Sequence, residues 1–147
     1  MKKVRLITDG SCIGNPGPGG WAAILKYNHH VKEIYGYEPQ TTNNRMELTA
    51  AVRGLRLLKE PCEVTIVTDS EYLKNGITQW IASWKRNGWR TKRKEPVKNQ
   101  ELWEELERET ARHTTQWEWT KGHASDAENN RCDELAQAAA RQRIASA

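Results

Sequence analysis

The chain has 147 residues and a formal net charge of +4 at neutral pH, a length that suits one domain. Leu, Ile and Val supply 24 residues and Phe none, about 16% of the chain, and a share below ~20% joined to a high net charge marks disorder. Here the net charge is small, and seven Trp and four Tyr add bulky apolar surface, so a compact fold with a small, aromatic-reinforced core is expected.

The charge is unevenly placed. Between Lys74 and Lys98 eight basic residues face one acid, Glu95, so this segment carries +7 and the rest of the chain −3. The basic character belongs to one local arm. No apolar run approaches the ~20 residues of a membrane span. Lys2 and Lys3 resemble the start of a signal peptide, but Arg5 and Asp9 interrupt the stretch that follows. Cys12, Cys62 and Cys132 are odd in number, widely spaced and lack a CxxC pair, which reads as free thiols in a reducing compartment.

In chain order, residues 3–9 read as a β-rich strand. The Gly/Pro run 14–20 reads as a turn. Trp21–Tyr27 and Val31–Tyr37, separated by Asn28-His29-His30, complete an antiparallel meander. From Met46, the apolar residues Leu48, Ala51, Val52, Leu55 and Leu58 fall on one helical face. Thr41–Asn44 offer N-caps; Asn44 with Glu47 three residues on resembles a capping box, which places Glu47 in the first turn. Glu63–Thr68 is a strand, Ser70–Trp84 a helix, and 85–98 basic and weakly periodic. Asn99–His113 is an amphipathic helix carrying Leu102, Trp103 and Leu106. Gln116–Thr120 is a short strand, 122–126 a loop, and Ala127–Arg143 an Ala-rich helix. Strands followed by αβ alternation predict an α/β fold, a mixed sheet with helices packed on its faces, and the strand–helix–strand step between residues 31 and 69 predicts parallel strands.

Two strands end alike, in Thr8-Asp9-Gly10 and Thr68-Asp69-Ser70. The carboxyl edge of an α/β sheet is where ligands bind, near a switch in strand order. If the strands are neighbours the two Asp face each other, with Glu47 leaning over the same edge. Converging carboxylates repel unless a cation joins them. Hard oxygen donors favour Mg²⁺ or Mn²⁺, and two-metal phosphoryl transfer is the chemistry such a cluster suits. Taken singly, each residue has a plainer reading. Asp before Gly forms turns, Asp69 can cap a helix, Asp133 early in a helix favours the dipole, and His123 in a loop is ordinary surface. Near a metal–carboxylate site, the same His can shuttle protons.

Together the segments Thr8–Cys12 with Gly14–Gly20, Thr42-Asn43-Asn44-Arg45-Met46-Glu47-Leu48, Thr68-Asp69-Ser70, Trp119-Thr120-Lys121-Gly122-His123 and 129–136 resemble bacterial type 1 ribonuclease H, in the family's order and across nearly the whole chain. The resemblance implies one ribonuclease H-like domain over residues 1–147, a five-stranded mixed sheet with helices on both faces, and a basic handle at about 80–98. It implies a monomeric cytoplasmic endoribonuclease, without a membrane partner, that cuts the RNA strand of RNA–DNA hybrids with Mg²⁺, Mn²⁺ substituting. Asp9, Glu47, Asp69 and Asp133 match the metal-binding and catalytic carboxylates, and His123 the catalytic loop histidine. Products carry a 5′ phosphate. Hybrid selectivity requires feeling the 2′-OH of one strand. The resemblance assigns minor-groove contacts to Cys12, Asn15, Asn43 and Asn44 and a DNA phosphate to Thr42. Trp80, Trp84, Lys85, Arg86 and Lys98 belong to the handle, where Trp80 and Trp84 also have the spacing of packing residues and the cations form a phosphate footprint. Glu71, where Gln is common, and Asn130, in place of an acid, depart from the pattern. A catalytically weak hybrid-binding module, and a related integrase or resolvase, are the competing readings. The four acids weigh against the first, and the Asn43-Asn44 element and handle against the second.

Overall fold

A computed structural model describes residues 1–121 and 126–142. Five strands, β1 (Lys2–Cys12), β2 (Gly17–Tyr27), β3 (His30–Thr41), β4 (Cys62–Thr68) and β5 (Thr114–Trp119), form one mixed sheet in the order β3-β2-β1-β4-β5. β1 is antiparallel to β2 and parallel to β4, and β4 is parallel to β5. The expected meander is present, but most of the expected Gly/Pro turn is strand. Gly17, Gly19 and Gly20 pair with β3 across a register shift at Gly17/Gly19. The helices are α1 (Asn43–Arg56), α2 (Glu71–Asn75), α3 (Ile81–Arg86), α4 (Gln100–Ala111) and α5 (Ala127–Ala140).

The period-2 alternation of β1 splits its apolar residues between two cores. Leu6 joins Val64 and Ile66 against Leu48, Val52 and Leu55 of α1 and Leu102, Trp103 and Leu106 of α4. Ile7 joins Ala22, Ile24 and Val67 against Cys132, Leu135 and Ala136 of α5. Helices therefore cover both faces, as expected. Each fully buried Leu or Ile contributes about 1.5–3 kcal/mol. All three cysteines are free. None of the described helices is long and apolar enough to cross a membrane.

The helix expected over 70–84 is not continuous. Ser70 caps α2 by accepting from the Leu73 N–H, and a π-helical turn, Gly76–Trp80, then separates α2 from α3. This turn begins at Gly76, where a Cβ would lie 1.9 Å from the Trp103 ring. Trp103 is fully buried. A π-turn widens the helix by one residue and re-aims the following side chains. Gly76→Ala should overpack this contact and destabilise the protein by about 1–3 kcal/mol, read as a lower urea midpoint with unchanged slope. An unchanged midpoint would refute the packing argument.

His113, at the junction of α4 and β5, accepts the Cys62 N–H on Nδ1 at 3.1 Å. Burial, with the Arg112 charge beside it, lowers its pKa, while Glu109 pulls the other way. The unfolded chain therefore takes up this proton at higher pH than the folded chain, and stability rises with pH wherever the unfolded state binds more protons. The contribution of His113 should be complete above about pH 6.5 and be lost progressively as pH falls below that value. Urea unfolding on both sides of that pH checks it. His113→Asn keeps an acceptor but cannot titrate, so its loss of stability on acidification should be smaller than the wild type's.

Candidate active site

The switch in sheet order positions the site. β1 and β4 run side by side with Ile7 opposite Val67, so Asp9 and Asp69 emerge at the same edge. Glu47 comes from α1. That helix is capped by Thr42, whose Oγ1 accepts the Arg45 N–H at 3.2 Å, and not by Asn44. Glu47 thus stands in the second turn, buried, and the capping-box expectation fails. Burial is possible because α1 lies directly on Gly10, where a Cβ would meet the Glu47 nitrogen at 2.6 Å. The Gly10 N–H donates to Asp9 Oδ1 at 2.9 Å and to Glu47 Oε1 at 3.1 Å, bridging the two acids.

Ligand oxygens of Asp9, Glu47 and Asp69 all lie within 4.8 Å of one another. Burial, then the charge of Asp69, pushes the Asp9 carboxyl up to about 8. Burial and both Asp9 and Asp69 push Glu47 well above the usual range. Asp69 is raised by burial and by Asp133. Asp9 Oδ2 and Glu47 Oε2 are buried without a hydrogen-bond partner. Buried acceptors are normally satisfied, and an all-oxygen donor set of this charge is the environment a hard divalent cation completes. The residues fit such a metal.

Asp133 stands on α5, half-buried, with Oδ2 accepting from Gln137 Nε2 at 2.8 Å. Its charge acts on both Asp9 and Asp69, but it lies outside the trio of oxygens within 4.8 Å. It is also two turns into the helix, because Asp126 caps α5. His123 lies outside the described residues. Asn129 is the residue that pattern reading missed. It is buried, its side chain hydrogen-bonds to Asp69, and its Oδ1 has no partner. Its place four residues before Asp133, on the same helical face, was the available signal.

The other predicted contacts form two groups. At the N-terminus of α1, Asn15 Oδ1 accepts the Asn43 N–H at 2.9 Å, and Cys12 Sγ reaches the carbonyls of Gly17 and Thr41, each at 3.5 Å. Asn43 and Asn44 are exposed. In the arm, Trp80 is 37% exposed and continues a ladder of rings through Trp84 to Trp89, with centroids 5.9 and 6.2 Å apart. Trp84 also packs edge-on against Trp103 at 5.5 Å. Lys85, Arg86 and Lys98 are exposed, and Lys85 pairs with Glu107 at 2.9 Å. Beside them an open hollow of about 570 Å³ is lined by Trp80, Trp84, Arg90 and Arg93 among others. A bridge unseen from sequence links the groups. Arg45 Nη1 donates to Asn99 Oδ1 at 3.1 Å, Asn99 Nδ2 donates to the Tyr72 hydroxyl at 3.2 Å, and the Tyr72 ring stands 5.9 Å from Trp80.

Buried carboxylates at the switch point of a mixed sheet, beside a basic and aromatic arm, define a phosphodiester hydrolase built for a polyanionic substrate. The model of the family described as RNase H matches residues 1–141. A ribonuclease H of Solibacter usitatus is 63% identical over 146 residues, 99% of this chain and all of that protein. Among solved structures, LC9-RNase H1, described as a type 1 RNase H with the type 2 active-site motif, superposes with a TM-score of 0.87 at 31% identity, over 97% of this chain and 74% of that one. LC11-RNase H1, solved in complex with an RNA/DNA hybrid, shares the fold with a TM-score of 0.64 at 22% identity, over 95% and 98% of the two chains. The chain belongs to the ribonuclease H family, in its bacterial type 1 branch, and is a nuclease.

Proposed function

We propose that this chain hydrolyses the RNA strand of RNA–DNA hybrids, leaving 5′-phosphate products, with divalent metal held by Asp9, Glu47, Asp69 and Asp133. The observation that carries the reading is the trio of carboxyl oxygens within 4.8 Å, two of whose residues offer an unpartnered buried oxygen. When bound, a pair of Mg²⁺ ions, or Mn²⁺ in their place, supplies activation of water and stabilisation of the leaving 3′ oxygen. The residues do the rest. The Gly10 N–H holds Asp9 and Glu47 in one orientation, and Asn129 holds Asp69. Pre-set first contacts of this kind spare reorganisation during reaction. His123 moves a proton at the leaving group. Cys12, Asn15, Asn43 and Asn44 present short polar groups to a minor groove lined by 2′-OH, and Thr42 takes a DNA phosphate. The arm, residues 80–98, grips the DNA strand through Trp80, Trp84, Lys85, Arg86 and Lys98. The protein acts as a monomer in the cytoplasm.

A labelled hybrid with Mg²⁺, run beside double-stranded RNA and DNA, tests this. Only the RNA strand of the hybrid should be cut, and the fragments should accept a 5′ label only after phosphatase treatment. Binding without cleavage would favour a hybrid-binding module, and cutting of duplex DNA an integrase or resolvase activity.

A further inference from the structure

The carboxylates are flanked on one side by the α1 N-terminus and on the other by β5, to which no substrate role has been assigned. Trp119 ends β5 opposite Thr68, and its Nε1 donates to the main-chain oxygen of Asp69 at 3.2 Å. Two lysines lie against this one indole. Lys74 Nζ, from α2, is 5.7 Å from the ring centroid, and Lys121 Nζ, just past β5, is 5.8 Å. Among the described residues neither lysine has a carboxylate partner within ion-pair distance, although Lys2, Lys26 and Lys85 all do.

Two ammonium groups repel each other, so gathering them on one ring without an acid between them costs free energy that the ring's quadrupole only partly offsets. The arrangement is relieved by an anion sitting between them. The indole that carries the pair is hydrogen-bonded to the main chain of Asp69, and this limits what that anion can be. The polymer that reaches Asp69 carries one phosphate per nucleotide, so an anion bound beside Asp69 on the β5 side is a phosphate of that strand.

We propose that Lys74 and Lys121, gathered on Trp119, form a phosphate clamp for the cleaved RNA strand, next to the scissile phosphate on the β5 side. The proposal rests on the hybrid reading above. The clamp fixes the strand's course past Asp69, while the arm grips the DNA strand. Lysine suits the task because its ammonium acts as a point charge that follows a phosphate without demanding a planar geometry.

Lys74→Gln and Lys121→Gln, singly and together, are compared with the wild type on the same hybrid with Mg²⁺ across a salt series. Each substitution should raise KM while kcat at saturation holds, as expected for loss of uniform binding. The slope of log kcat/KM against log salt should fall by about one per lysine, and Lys→Arg at both positions should restore it. A purely structural role would leave the salt slope unchanged. A single neutral methylphosphonate on a 2′-deoxy unit, moved along the cleaved strand, locates the contact. At one position beside the scissile bond it should weaken the wild type and leave the double variant indifferent. A wild-type salt slope in the double variant, with normal hybrid cleavage, overturns the clamp alone. So does a methylphosphonate response found only in the DNA strand. A wild type that neither binds nor cuts the hybrid overturns both the clamp and the reading beneath it.

Discussion

Asp9→Asn should abolish hybrid cleavage and at the same time stabilise the metal-free protein. The carboxylate shares a buried edge with Glu47 and Asp69 and carries a pKa of about 8 for that reason. The folded pKa is raised above the unfolded value, so its contribution to stability falls as pH rises from the ordinary carboxylate range through that value. At neutral pH the cost is on the order of 2–4 kcal/mol. Asparagine keeps the shape and the acceptor for the Gly10 N–H, 2.9 Å away, and removes the charge. The midpoint of urea unfolding without metal should therefore rise. Turnover should drop by at least about a thousandfold, because metal at the reacting phosphate is worth several kcal/mol of transition-state stabilisation. A variant that is inactive and also less stable would mean that Asp9 serves the fold, and the site would need reassignment. Asp69→Asn should follow the same pattern with a smaller stability gain, since Asp69 is less enclosed and already accepts from Asn129.

Mg²⁺ should raise the melting temperature of the wild type and have little effect on Asp9→Asn. A ligand that binds only the folded state stabilises it by about 2.7 kcal/mol at a hundred times its dissociation constant. For a protein of this size that is roughly 5–10 °C. The unpartnered oxygens of Asp9 and Glu47 are the specific reason to expect this, because a bound cation gives them a partner. Differential scanning calorimetry with Mg²⁺ and with EDTA measures the shift. An equal shift in both proteins would place the binding elsewhere, on the acids of α4 for example.

Much of the fold was legible because its signals are local. The apolar stripe Leu48, Ala51, Val52, Leu55 has a helical period whatever its partners, and the alternation in β1 sends Leu6 and Ile7 to opposite cores. The paired Thr-Asp strand ends were legible as well. A strand that stops before Gly or Ser leaves its last side chain at the sheet edge, and two such strands in one sheet bring two carboxylates together. Where the reading failed, the deciding partner was distant in sequence. Gly76 lies in a stretch with sound helical spacing, yet the chain makes a π-turn there, packed against Trp103, 27 residues on. Glu47 looks like a capping residue from three neighbours, and only the contact of α1 with Gly10 shows it buried. The Gly-rich run 14–20 looks like a turn, yet most of it pairs with β3 because glycines also permit close strand approach.

By itself, then, the amino-acid order determined the elements, the α/β class, the separation of a −3 body from a +7 arm, and the four acids available for chemistry. The tertiary structure alone decided their relations. It placed Asp9, Glu47 and Asp69 within one metal's reach and left Asp133 at a remove. It assigned Asn129 to hold Asp69 and linked Asn99 through Tyr72 to the arm. It also brought Lys74 and Lys121 to one indole. The physical reason is that periodicity and capping act over a few residues, whereas the repulsion among carboxylates, the burial that raises their pKa values and the unpartnered oxygens left for a cation arise only when segments distant in sequence meet, Asp9, Glu47 and Asp69 among them.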